Sequence, residues 1–172
     1  MNGEERRSGI IARLKEENKP IKGTTLALYF NVSRQVIVQD IAVLRAQGTE
    51  IIATPQGYVL LKHNKDRLIK TIAARHYDYD QMEDELQIML DHGARIIDVI
   101  VEHPLYGEIR TILDINYKRE LDDFMEKIRQ QKAEPLASLT DGMHFHTLEV
   151  PDEDSFDRIK VELLRKGYLI KD

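Results

Sequence analysis

Apolar residues first recur along the chain at helical spacing. Ile10, Ile11 and Leu14 place one buried face on a helix over residues 4–17. Lys19-Pro20 ends it, because the residue before proline avoids helical backbone. A second helix is expected over residues 24–30, burying Leu26, Ala27 and Phe30, and Asn31-Val32-Ser33 is a turn in which Ser33 suits the N-cap of a third helix. In that helix Ile37, Ile41 and Leu44 fall at i, i+4 and i+7, and Gln47-Gly48 closes it. Two short apolar runs, residues 50–52 and 58–61, then flank Thr54-Pro55-Gln56-Gly57, a type I turn sequence. Helix, turn, helix and hairpin make a winged helix-turn-helix.

The polar residues of this segment are placed for DNA. Arg34, Gln35, Val38 and Gln39 lie opposite the buried stripe near the start of the third helix, the end that enters a major groove. Arg pairs with guanine, Gln with adenine, and Val touches a thymine methyl. The hairpin tip, Gln56 to Tyr58, suits the phosphate backbone. The competing reading is a helical bundle element whose polar face is merely solvated.

From about Leu68 the pattern changes. A helix is expected over residues 80–91, ended by Gly93, with Met82, Leu86, Met89 and Leu90 buried. Strands are expected over 95–101 and 108–116, a helix over 118–131, and two strands about the turn Asp141-Gly142, the second over 144–150. Pro151 and an acidic start introduce a last helix, which Gly167 ends before a final strand at 168–170. Helices alternating with paired strands predict an α+β sandwich with a mostly antiparallel sheet. The expected domains are residues 1–64 and 65–172.

Charge sharpens this division. The chain carries a net −5, but residues 1–62 hold nine Lys/Arg against six Asp/Glu, whereas residues 63–172 hold 16 against 24. Only the N-terminal part is suited to phosphates. The absence of cysteine excludes disulfides and thiolate metal sites and fits a reducing compartment. With no apolar run of bilayer length and a polar start, MNGEERRSG, a cytoplasmic, membrane-free protein is expected.

Three features of the second domain offer chemistry. His144-Phe145-His146 on a strand puts both imidazoles on one face, within reach of one metal ion; alternatively they are exposed residues flanking a buried Phe145. His76 and Glu85 form the second, since a carboxylate beside an apolar stripe needs a partner, unless it is simply solvated. The third is the connecting loop around His103-Pro104-Leu105-Tyr106-Gly107, whose His and Tyr can line a pocket. No GxG or GxxxxGK phosphate loop is present, which argues against a nucleotide-dependent enzyme.

The segments NVSRQVIVQDI, IIATPQGYVL, VEHPLYGEI and DGMHFHTLE, in this order and spanning nearly the whole chain, resemble the NiaR family of niacin-responsive repressors, in which a helix-turn-helix domain precedes a 3H domain. The resemblance implies repression of NAD-biosynthesis or niacin-uptake genes, with nicotinic acid as co-repressor and no catalysis. It implies a divalent metal on His76, Glu85, His144 and His146, with Glu83 and Asp84 as rival carboxylates. Zinc, nickel, iron and manganese all suit three nitrogens and an oxygen. His103, Tyr106 and Arg110 are the expected effector contacts. A homodimer on a palindromic operator follows from two-fold symmetry. The alternatives are a regulator for which the metal itself is the signal and a metal-dependent enzyme fused to a DNA-binding domain.

Overall fold

The structure, a computed structural model, describes residues 1–171; Asp172, the last residue of the second expected domain, lies outside the described residues. The chain divides into two compact units, Met1–His63 and Asn64–Asp172.

The first unit is three helices and a hairpin. Helix α1 (Gly3–Glu16) opens with a capping box between Asn2 and Glu5. Helices α2 (Gly23–Phe30) and α3 (Arg34–Ala46) are joined by Asn31 in the left-handed conformation and by Ser33, whose hydroxyl accepts the Val36 N–H. Ile10, Leu14, Leu26, Phe30, Ile37, Ile41 and Leu44 form one core. Strands β1 (Ile51–Thr54) and β2 (Gly57–Leu60) pair antiparallel. The sequence pattern did not disclose that Ile21 bridges to Tyr58, which brings the wing against the residues before α2. Gly57 permits this approach: a Cβ there would sit 2.4 Å from the Ile21 carbonyl oxygen.

The second unit is a four-stranded antiparallel sheet in the order β3-β6-β4-β5. Its strands are β3 (Leu68–Arg75), β4 (Arg95–His103), β5 (Gly107–Ile115) and β6 (Met143–Val150). Helices α4 (Tyr79–Asp91), α5 (Lys118–Gln130) and α6 (Glu153–Lys166) contribute Met82, Leu86, Met89, Leu121, Met125, Ile159 and Leu163 to a core shared with Ile72, Ile96, Leu148 and Val150 of the sheet.

Two expected strands are corrected. The segment before Asp141-Gly142 is a 3-10 turn, Leu136–Thr140, entered through Pro135, rather than a strand. Residues 168–170 form no strand but a single bridge, Ala74 to Leu169. The run is too short to extend a ladder once α6 has ended at Gly167.

Candidate functional site

Strands β3 and β6 pair with Ile72 opposite His146 and Ala74 opposite His144. Paired residues share a face, so both histidines point to the core side, where alternate positions of each strand are buried. His76 continues the buried alternation of β3 just past its end. Glu85 descends onto the same place from α4, within the stripe formed by Met82, Leu86 and Met89. His144 and Glu85 are completely buried, and His76 and His146 nearly so. The reading of His144 and His146 as exposed residues flanking a buried Phe145 is therefore reversed: Phe145 is only half-buried and the histidines are inside.

The four side chains converge. His144 Nε2 lies 3.0 Å and His146 Nε2 3.2 Å from Glu85 Oε1, and His76 Nε2 lies 3.8 Å from Oε2. Donor atoms of His76, Glu85 and His144 all fall within 4.8 Å of one another. The rival carboxylates are engaged elsewhere: Glu83 pairs with Arg129, and Asp84 with Lys166 and Tyr168.

The outer partners of these rings decide what the cluster can hold. His144 Nδ1 donates to the Gly142 carbonyl at 2.8 Å, and His146 Nδ1 donates to the Asp98 carbonyl at 2.6 Å. With the Nδ1 protons so committed, neutral rings present bare Nε2 lone pairs to Glu85. Lone pairs facing a carboxylate repel unless a cation lies between them, either a proton or a metal ion. Glu85 Oε2 is buried with no hydrogen-bond partner among the described residues. Three imidazoles and a carboxylate so held could take up a divalent metal ion.

Charge states agree. Burial pushes His76 down to about 4, so it stays neutral at physiological pH. Against the cost of burial, the hydrogen bonds from His144 and His146 hold Glu85 well below the ordinary carboxylate range. Burial also opposes charge on His144, but the hydrogen bond and charge of Glu85 raise it on balance.

Beside the cluster is a cavity of about 180 Å³, reached by His76 and His146 and walled by Met82, Leu86, Phe124 and Ile128. It was not legible in the sequence, because its lining comes from α4, α5, three strands and the 3-10 turn and carries no local signature. None of His103, Tyr106 or Arg110 lines it. His103 Nδ1 instead accepts the backbone N–H groups of Leu105 and Tyr106, fixing the β4–β5 hairpin; Tyr106 is exposed, and Arg110 pairs with Asp98 at 2.6 Å.

In the first unit Arg34, Gln35 and Gln39 are exposed and Val38 half-buried, opposite buried Ile37, Ile41 and Leu44. Gln56 is exposed at the wing turn and Tyr58 half-buried behind it. A cleft of about 320 Å³ joins Arg34 to Lys22, Gly23, Thr24 and wing residues 53–58. Helix α2 opens there without a side-chain cap, which leaves its first N–H groups available to a phosphate. Lys22 and Thr24 were missed in the sequence because they read as the polar lead into a helix. Buried Asp40 on α3 was missed too; it pairs with Arg6 Nε at 2.6 Å and Arg7 Nη1 at 3.4 Å, tying α1 to α3.

A helix-turn-helix unit followed by a ligand-grade cluster defines a DNA-binding regulator. Comparison with known proteins agrees: residues 6–59 match the HTH domain and residues 69–172 the 3H domain. The chain is 44% identical over 169 residues to the probable transcription repressor NiaR of Thermotoga maritima, covering 98% of this chain and 95% of that protein. It is 41% identical over 172 residues to the transcription repressor NadR of Bacillus subtilis, covering 99% and 96%. The chain belongs to the NiaR family of transcription repressors, and it is a regulator, not an enzyme. Among the described residues no helix is long and apolar enough to cross a membrane.

Proposed function

We propose that this chain is a cytoplasmic, homodimeric repressor of NAD-biosynthesis or niacin-uptake genes, holding a divalent transition metal and using nicotinic acid as co-repressor. The observation that carries the reading is the buried Glu85 carboxylate among three imidazole Nε2 atoms, its Oε2 without a hydrogen bond among the described residues. His76, Glu85, His144 and His146 would hold the ion, which when bound supplies positive charge and open coordination positions at the rim of the cavity. Ser33, Arg34, Gln35, Val38 and Gln39 carry the DNA contacts, with Gln56, Tyr58 and the Lys22 cleft on the phosphates.

In this reading the effector enters the cavity beside the cluster, which His103, Tyr106 and Arg110 do not line. Cavities of about 150 Å³ with aliphatic and aromatic walls take up a benzene ring, and this one is of that size and character. Among the described residues its lining holds no lysine or arginine, so an acid's carboxylate would find its positive charge in the metal. Such a ligand represses only by binding the DNA-competent arrangement more tightly than the other. Anisotropy of a labelled duplex from the gene's own upstream region tests this in four states, with and without metal and nicotinic acid. Tight binding only with both supports the reading. Binding unchanged by saturating acid overturns the co-repressor role, and binding toggled by metal alone makes the ion the signal.

A further inference from the structure

Among the described residues outside the four donors, Asp98 is the most deeply buried acid. Asp98 is on β4, completely buried. Strands β4 and β6 pair at Ile96 with Leu148 and again at Ile100 with Phe145, so residues 97–99 stand against only 146–147. This is a bulge, and within it the backbone ladder is interrupted. Asp98 fills the interruption. Its Oδ1 accepts the Thr147 N–H at 2.8 Å, its own carbonyl accepts His146 Nδ1–H at 2.6 Å, and its Oδ2 takes the Arg110 Nε–H at 2.6 Å.

We infer that Asp98 is a positioning residue for His146, clamped from β5 by Arg110. The carboxylate supplies the acceptor that Thr147 lost to the bulge. Its carbonyl is thereby left to the imidazole, which fixes the Nδ1–H tautomer and aims Nε2 at Glu85. Without that carboxylate the Thr147 N–H competes for the position-98 carbonyl and His146 loses its anchor. The inference rests on reading His146 as a metal ligand, but the tautomer is measurable without metal.

The test uses the full-length, metal-free chain, labelled in its histidine ring nitrogens and held well above the ordinary histidine range. Wild type shows His146 protonated on Nδ1 and bare on Nε2. Asp98→Ala scrambles the His146 tautomers and leaves those of His144, anchored by Gly142, unchanged. Zinc affinity, read by competition with a coloured chelator, falls about 10- to 100-fold in Asp98→Ala, the usual loss when an outer partner of a ligand is removed. Asp98→Asn, which keeps an acceptor for Thr147, retains the tautomer and most of the affinity, and Arg110→Met falls between. A wild-type His146 carrying its proton on Nε2 overturns the proposal, as does Asp98→Ala with tautomer and zinc affinity unaltered. Should Asp98→Ala fail to fold, scrambled tautomers in Asp98→Asn overturn it equally. No zinc binding by a wild type of the expected tautomer sinks the metal reading and leaves the support of His146 standing.

Discussion

Gly142 passes so close to His76 that a Cβ at position 142 would lie 2.3 Å from the His76 carbonyl oxygen. The same glycine, at φ +83°, returns its carbonyl to His144 Nδ1 and accepts the His76 N–H at 3.3 Å. One residue without a side chain therefore sets two of the four candidate ligands relative to each other.

Gly142→Ala combines a left-handed backbone cost with a backbone clash, and it should destabilise the protein by about 2–4 kcal/mol. Stoichiometric metal should be lost along with it. Urea unfolding and elemental analysis of the same sample check both. Unchanged metal content would mean that Gly142 does not order the site.

Glu85→Gln separates a metal site from a structural ion pair. The amide keeps the shape of the carboxylate and can donate to a bare Nε2. Stability of the metal-free protein should therefore change by no more than about 1 kcal/mol, whereas zinc affinity falls at least about 100-fold, matching or exceeding the loss from an outer-shell change. A large loss of metal-free stability with affinity intact would make Glu85 a structural partner of His144.

Much of this was legible in the sequence, for physical reasons that also mark where legibility ended. Ile37, Ile41 and Leu44 announce their helix through a local period, and Ser33 its start, because caps and stripes are short-range. The same-face placement of His144 and His146 follows from strand alternation alone. Their burial does not, because it depends on α4 bringing Glu85 against them from a distant part of the chain. Leu136–Thr140 resembles a strand in composition, but Pro135 and the left-handed Asp141 close it into a 3-10 turn. Asp98 was invisible because a bulge is a relation between two strands, and neither strand's pattern contains it.

The end of α6 gives a prediction in pH. Tyr168 donates to Asp84 Oδ2 at 2.9 Å, and Lys166 pairs with the same oxygen at 2.9 Å. Burial and then Asp84 push Tyr168 up to about 12. Burial raises Asp84, but Lys166 and Tyr168 outweigh it and leave the carboxyl below its ordinary value. A raised tyrosine stabilises fully below its unfolded value near 10 and loses that contribution as pH rises through about 12. A depressed carboxylate stabilises above its unfolded value near 4 and loses its contribution as pH falls through the depressed one. Tyr168→Phe should thus cost at most about 1 kcal/mol, solvent exposure limiting the effect. That loss should hold constant from about pH 5 to 9 and narrow in acid as Asp84 protonates. Denaturant midpoints across this range check the sign, and a difference that widens in acid would contradict the pairing.

The DNA face separates base reading from phosphate holding. Arg34 is exposed at the start of α3, yet it also lines the Lys22 cleft, so its guanidinium has two roles open to it. A base contact costs about 1–3 kcal/mol against the cognate site and little against random DNA, whereas a phosphate contact weakens both and lowers the salt slope by about one. Arg34→Ala should weaken operator binding about 10- to 100-fold and random DNA far less. Lys22→Ala should weaken the two about equally and flatten the salt dependence. Anisotropy titrations of each variant on both duplexes over a salt series measure the two quantities together. Equal losses for Arg34→Ala on both DNAs would assign Arg34 to the backbone and leave Gln35, Val38 and Gln39 as the residues that read the operator.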